Sequence, residues 1–207
     1  WISVSAPWNG PPGLYRGQIT VADDQGFEIS WPLQVHVWEF DLPFPSRLKT
    51  AFSILPNYDI PRWYGFKSIP PRNFRMELYR LLLEHRINPM SLYTSQMWPP
   101  REDLRWCIDH GLNAFNIRTV DSAAPEVINY VREQAEWLKK RGWLPLAFIY
   151  GFDEVQPKRY EALRNAYEAV RKAVPEIKRA CTVAPTDQLA GYVDIWIPLT
   201  AAYNHLE

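Results

Sequence analysis

Leu144-Pro145-Leu146-Ala147-Phe148-Ile149-Tyr150-Gly151-Phe152-Asp153-Glu154 opens as an uninterrupted apolar run and ends on two adjacent carboxylates. The run has the composition of a strand buried on both faces of a parallel sheet. Acidic side chains are rarely buried without a partner, so a chain that crosses a core and stops on Asp-Glu has usually delivered them to a site. In a barrel of alternating strands and helices, catalytic groups gather at the C-terminal strand ends. The plain alternative is that Asp153 and Glu154 are solvated loop residues capping a helix that begins near Gln156-Pro157.

Working outward, the same strand-helix rhythm runs through most of the chain. Strands are predicted at 51–55, 88–94, 113–119, 179–184 and 194–197, with the quoted stretch as the fourth in order. Helices are predicted between them. The first, near 71–86, has Pro71 in its first turn and Phe74, Leu78, Leu81 and Leu82 on one face. Another at 101–110 is stopped by Gly111, and one at 125–141 turns Val127, Val131 and Leu138 inward and is closed by Gly142. Tyr160, Leu163, Tyr167, Val170 and Val174 mark the last. About six strands alternating with helices imply a parallel sheet. The fold class expected is α/β, a truncated (β/α)8 TIM-like barrel. No GxGxxG or GxxxxGK[ST] follows any strand, which removes the usual nucleotide-binding readings.

The first 40 residues differ. Pro11-Pro12-Gly13 and Asp23-Asp24-Gln25-Gly26 are turn signals, and Leu33, Val35 and Val37 alternate as one buried face of a strand. Pro32 suggests an edge or a bulge. A lone hairpin is marginally stable at best, so this one is expected to complete a sheet upstream or to pack on the remainder of the chain. Residues 41–46 contain two prolines and no periodicity and read as a stiff connector, with the α/β domain at 47–207. The chain reads as an excerpt of a longer protein.

Bulk composition excludes several classes. Of 207 residues 47% are hydrophobic, enough for a real core, and no apolar stretch is long enough to span a membrane. Lys plus Arg and Asp plus Glu both number 23, so no basic field points to nucleic acid. Aromatics reach 14%, with 10 Trp and 11 Tyr, a supply from which sugar-stacking platforms can be drawn, although most will fill the core. Cys107 and Cys181 are isolated and read as buried free thiols, and His36, His85, His110 and His205 show no metal-binding spacing, so neither a metal nor a cofactor is expected.

Two carboxylates in one pocket repel when both are charged, which favours one of them holding a proton for use as a general acid. Cleavage of a glycosidic bond needs such a proton on the leaving oxygen. Strand alternation puts Tyr150, Phe152 and Glu154 on one side and Asp153 on the other, so a turn or bulge is required to aim both acids together. Tyr150-Gly151-Phe152-Asp153-Glu154 resembles the Asp-Glu signature of glycoside hydrolase family 123 and its DUF4091-type relatives. The lead-in 12–21 and the hand-off 33–43 are similar to that family's β-sandwich running into its barrel.

The resemblance implies a β-N-acetylgalactosaminidase-type retaining exo-hydrolase that uses the substrate's own 2-acetamido group. It makes Glu154 the acid/base, Asp153 the group that orients the acetamido, residues 1–40 the last strands of a sandwich, and the substrate a glycan or glycolipid with a terminal amino sugar. A secreted or periplasmic parent is expected. Tyr150 is a candidate for the acetamido pocket. Trp196, Tyr203 and Asn204 are candidates to stack on or hydrogen-bond a sugar, with a core role as the alternative for Trp196. Arg118 is expected to pair with Asp153 or Glu154, or else to form a surface salt bridge. Trp63, Tyr64 and Trp98 sit in long loops on the presumed active face. Two other readings stay open: a conventional two-carboxylate glycosidase whose nucleophile lies beyond residue 207, and a non-catalytic module in which Asp153-Glu154 is only a helix cap.

Overall fold

The computed structural model of the chain describes residues 2–7 and 9–203. The chain forms two compact units, residues 1–43 and 44–207. In the first, β1 (Gly13–Ala22) pairs antiparallel with β2 (Glu28–Val37), from Gly13 opposite Val37 to Ala22 opposite Glu28. Asp23 sets the turn: its Oδ1 accepts the N–H groups of Gln25 and Phe27, each at 2.9 Å, the short-range bonding that suits Asp to turns. Pro32 lies opposite Gln18. A two-stranded sheet has only edge strands, where proline is tolerated. No residue of either strand is fully buried. Leu33, Val35 and Val37 are partly covered and border an apolar groove of about 420 Å³, while Val21, Phe27 and Trp31 are exposed.

The second unit contains, in order, α1 (Asp59–Tyr64), α2 (Arg72–Glu84), α3 (Arg101–Asp109), β3 (Phe115–Thr119), α4 (Pro125–Lys139), β4 (Ala147–Tyr150), α5 (Tyr160–Ala173), β5 (Lys178–Cys181), β6 (Ile195–Trp196) and α6 (Thr200–Tyr203). Strands β3, β4, β5 and β6 form one parallel sheet in chain order. The predicted helices are present with ends trimmed by a residue or two. Gly142, at φ +72°, follows α4 in the left-handed conformation that a helix end requires. Strand β4 starts at Ala147 rather than Leu144, because Pro145 has no N–H for a ladder and the segment Leu144–Leu146 winds into a 3₁₀ turn instead.

The two earliest predicted strands are corrected. Residues 51–55 and 88–94 run beside the sheet, yet they are joined by a single parallel bridge, Ser53 to Met90, and count as no strand. Two backbone bonds persist, Ile54 N to Met90 O at 2.8 Å and Thr119 N to Thr94 O at 2.7 Å, and side chains supply further ones. Leu92 N donates to Ser53 Oγ at 3.0 Å, Thr94 N to Thr119 Oγ1 at 2.9 Å, and Thr119 Oγ1 to Leu92 O at 2.7 Å. Asn116, fully buried on β3, donates to Ser91 O and Leu92 O on one side and accepts from Tyr150 N on the other. The predicted inward face of α2 is rotated as well. Tyr79 is its fully buried residue and Leu81 is exposed, because Tyr79 packs edge-on against Trp98 at 5.8 Å.

The core is built from the sheet and the helices on it. Phe115, Ile117, Ile149 and Tyr150 from the strands meet Val131 and Leu138 of α4 and Leu163, Tyr167 and Val170 of α5. Each large apolar side chain buried this way contributes about 2 kcal/mol of transfer free energy. At the far side of the sheet, Arg179 on β5 grips Asp194 just before β6 through Nε at 2.7 Å, Nη2 at 2.8 Å and its backbone N–H at 2.9 Å.

Candidate active site

Strand β4 ends at Tyr150, and the four residues after it are held by contacts from three directions. Gly151 is the tightest point. A Cβ built there would lie 2.0 Å from the Val120 carbonyl oxygen, so only glycine lets the two strand ends come this close. Phe152 N donates to Asp121 Oδ1 at 2.7 Å, and the Cys181 thiol donates to Phe152 O at 3.3 Å. The Tyr167 hydroxyl donates to Ala180 O at 2.6 Å, with Gly151 O at 3.2 Å. Phe152 itself is fully buried, edge-on to Tyr167 at 5.8 Å.

This anchoring sustains an unusual backbone. Phe152 and Glu154 have φ of +54° and +43°, the left-handed region that side chains other than glycine and asparagine avoid. Two left-handed residues flanking Asp153 break the strand's alternation. Phe152 turns down into the core against α5, while Asp153 comes up on the side of Tyr150 and both acids are exposed. The predicted grouping of Tyr150 with Phe152 and against Asp153 is thereby reversed. Strain of this kind persists only where the surroundings over-determine it, and it gathers at functional sites.

The two carboxylates are treated differently. Asp153 Oδ1 accepts from the Tyr150 hydroxyl at 2.5 Å, and its Oδ2 accepts from the Tyr93 hydroxyl at 3.2 Å. Thr182 Oγ1 lies 2.5 Å from the Tyr150 oxygen. The Glu154 carboxylate has no hydrogen-bond or ion-pair partner among the described residues, although its charge also acts on the Tyr93 hydroxyl. Burial pushes the Tyr150 hydroxyl well above the usual phenol range, and its bond to Asp153 adds to the effect. Burial likewise raises Tyr93, with the Asp153 and Glu154 charges pushing the same way. Both phenols therefore stay protonated and act as donors. The Cys181 thiol beneath the turn is pushed up to about 12 by burial and by the Asp153 and Asp121 charges, which leaves it an inert thiol.

Beside the turn a cleft of about 520 Å³ is lined by Tyr93, Thr94, Arg118, Thr119, Asp121 and Ser122, among others. Neither carboxylate lines it directly. Tyr93 and Asp121 connect it to them, one through Asp153 and the other through Phe152 N. A second cavity, about 470 Å³ between Phe44, Trp106 and His110, sits among Asn88 and Asn113, before the strands begin rather than where they end. Among the described residues no three His, Cys, Asp or Glu side chains gather as a metal site, and no helix is long and apolar enough to cross a membrane.

The other predicted site residues are placed as follows. Arg118 forms no ion pair with Asp153 or Glu154. Its Nε donates to Thr119 O at 3.2 Å and its guanidinium lies over the Tyr130 ring at 5.3 Å, which holds it on the α4 side of the cleft. Trp196 is half-buried against the core and in register with Cys181, so alternation puts it on the face opposite Tyr150. Tyr203 ends α6, and Asn204 lies outside the described residues. Trp98 is a core residue, 5% exposed, beneath the Arg75 guanidinium. Trp63 and Tyr64 are exposed on the short helix α1, not in a loop. Tyr93, Thr182 and Asp121 are the site residues that sequence reasoning passed over. Tyr93 and Thr182 lie inside the predicted strands 88–94 and 179–184, and Asp121 two residues past the strand at 113–119, which was the available signal.

No protein-family model and no curated protein matches this sequence. Solved structures do. A family 123 glycoside hydrolase from Clostridium perfringens, described for glycolipid glycan hydrolysis, superposes with a TM-score of 0.52 at 14% identity, over 92% of this chain and 45% of that one. Bacteroides uniformis β-glucuronidase 3 gives a TM-score of 0.47 at 13% identity, over 90% of this chain and 26% of that one. A Parabacteroides merdae β-glucuronidase gives 0.46 at 10%, over 90% and 25%. The chain thus spans less than half the length of each of these structures, and what it shares with the clostridial hydrolase is its fold.

Proposed function

We propose that this chain carries the catalytic turn of a retaining glycoside hydrolase that cleaves terminal 2-acetamido sugars, of the β-N-acetylgalactosaminidase type. The observation that carries the reading is the unequal pair on one strained turn. Asp153 is clamped by two tyrosine hydroxyls, while Glu154, the next residue, presents a carboxylate with no protein partner among the described residues. A held acceptor beside a free acid is what substrate-assisted cleavage requires. Asp153 accepts the acetamido N–H and turns the acetamido oxygen toward the anomeric carbon. Glu154 donates a proton to the departing glycosidic oxygen, and the acetamido oxygen forms the new bond to carbon as the old one breaks. Water, giving its proton to Glu154, then opens the cyclic intermediate with net retention.

The fold shared with a hydrolase of glycolipid glycans supports the same reading. In it, β3 to β6 and their helices are part of a (β/α)8 barrel whose C-terminal strand ends hold the site. Residues 1–40 close a β-sandwich, 41–46 link the two, and 47–207 belong to the catalytic domain. The cleft lined by Arg118 receives the glycan beyond the scissile bond. The chemistry needs no metal or cofactor.

The test is an assay of the full-length protein on aryl β-N-acetylgalactosaminide and β-N-acetylglucosaminide, with a thiazoline mimic of the cyclic intermediate as inhibitor. Glu154→Gln is expected to lower kcat by about 10² to 10⁴ while the protein still binds the thiazoline. Turnover of neither sugar by the wild type would sink the proposal. Equal cleavage of a 2-hydroxy glycoside would move the assignment to a two-carboxylate mechanism.

A further inference from the structure

An exposed carboxylate does not need protein hydroxyls, because water satisfies it. Asp153 nevertheless receives two, from residues far apart in the chain. Tyr93 lies 60 positions away, and Tyr150 is in turn joined to Thr182, 32 positions from itself. The ends of β4 and β5 and the 88–94 segment therefore converge on one solvent-facing group. Proton counting fixes the direction of the chain. An ionised carboxylate only accepts, so Tyr150 gives its single proton to Asp153, and Thr182 must then give its proton to the Tyr150 oxygen. Tyr93 commits its proton to the other carboxylate oxygen. Neither phenol has a hydrogen left to offer a ligand.

We propose that Thr182, Tyr150 and Tyr93 are positioning residues that fix the plane of the Asp153 carboxylate, leaving its remaining lone pairs to accept an N–H from the substrate. This rests on the function proposed above, and it changes the role of Tyr150: the residue acts through Asp153 rather than by touching the acetamido group. A misplacement of about 1 Å at a reacting group costs about 10²-fold in rate, and the clamp is what prevents it. Asp153 is exposed on a turn between two left-handed residues, and the two tyrosine hydroxyls are the side-chain bonds that hold its carboxylate.

The experiment uses the full-length protein and the conservative variants Tyr150→Phe, Tyr93→Phe, Thr182→Val and Thr182→Ser. Tyr150→Phe is expected to lower kcat by about 10- to 100-fold with KM changed less than about threefold, and to weaken the thiazoline mimic by the same factor as kcat/KM. Tyr93→Phe, which loses the longer bond, is expected to lose less. Thr182→Ser is expected to retain wild-type rates and Thr182→Val to fall between wild type and Tyr150→Phe. A role confined to stability would lower Tm without this split. A crystal structure of Tyr150→Phe supplies the readout that does not depend on turnover, with the Asp153 carboxylate expected to be rotated from its wild-type orientation. Unchanged kcat in Tyr150→Phe, equal behaviour of Thr182→Val and Thr182→Ser, or an Asp153 that keeps its orientation without the tyrosine hydroxyl would each overturn the inference. A wild type that cleaves neither sugar would instead overturn the proposed function, while the crystallographic comparison still decides the clamp.

Discussion

At the scale of single residues, the site carries a cost in backbone conformation. Phe152 and Glu154 occupy left-handed wells, each unfavourable by roughly 1–2 kcal/mol for a residue with a Cβ. Burial offsets the cost at Phe152, whose ring is fully enclosed. At Glu154 the side chain is exposed and unpartnered among the described residues, and Gln156 Nε2 donates to its carbonyl at 3.2 Å. Glu154→Gly is therefore expected to be more stable than Glu154→Ala by about 1 kcal/mol, the reverse of the order in a helix, and both are expected to be inactive. Equilibrium denaturation of the two variants measures the difference; an alanine variant as stable as the glycine one would show the turn to be unstrained. The placement of the carboxylate pair was legible in the sequence, because the apolar run reads as a buried strand with Asp-Glu just past its end. Its handedness was not. Alternation puts Tyr150 and Asp153 on opposite sides, and only the left-handed turn that Asp121, Cys181 and Tyr167 tie down brings them together.

Among elements, side chains reinforce the sheet where backbone pairing thins beyond β3. Asn116 supplies three buried hydrogen bonds, two to the 88–94 segment and one to Tyr150 N at the head of the acidic turn. Leaving a buried backbone group unpaired costs about 1–3 kcal/mol. Asn116→Ala is thus expected to lose at least about 3 kcal/mol in urea denaturation, whereas a loss under about 1 kcal/mol would mean that water takes over the bonds. The same side-chain bonds account for what was readable and what was not. Strand β4 announces itself as an apolar run, and β3 and β5 as short segments set between helices. The segments 51–55 and 88–94 were predicted as strands on the same pattern, but polar side chains such as Ser53, Asn116 and Thr119 intercept the ladder. Tyr93 and Thr182 are brought beside Asp153 and Tyr150 by the alignment of segments distant in sequence, which no local pattern encodes.

For the whole molecule, the two units differ in how they are sustained. Residues 44–207 contain a continuous core around β3 to β5, whereas neither strand of the hairpin has a fully buried residue. Opening free energies track buried contacts. Amide exchange in the hairpin is accordingly expected to be near the unprotected rate, with β4 protected to near the global stability; equal protection in both would show that something covers the hairpin. The two thiols add a further consequence. Cys181 bonds to the carbonyl of Phe152, directly under the acidic turn, and Cys107 is buried in α3, away from it. Burial raises both thiols beyond the range in which alkylating reagents react with them. The chain therefore carries two natural clocks: modification of Cys181 times each lifting of the acidic turn, and Cys107 keeps the time of the scaffold around it.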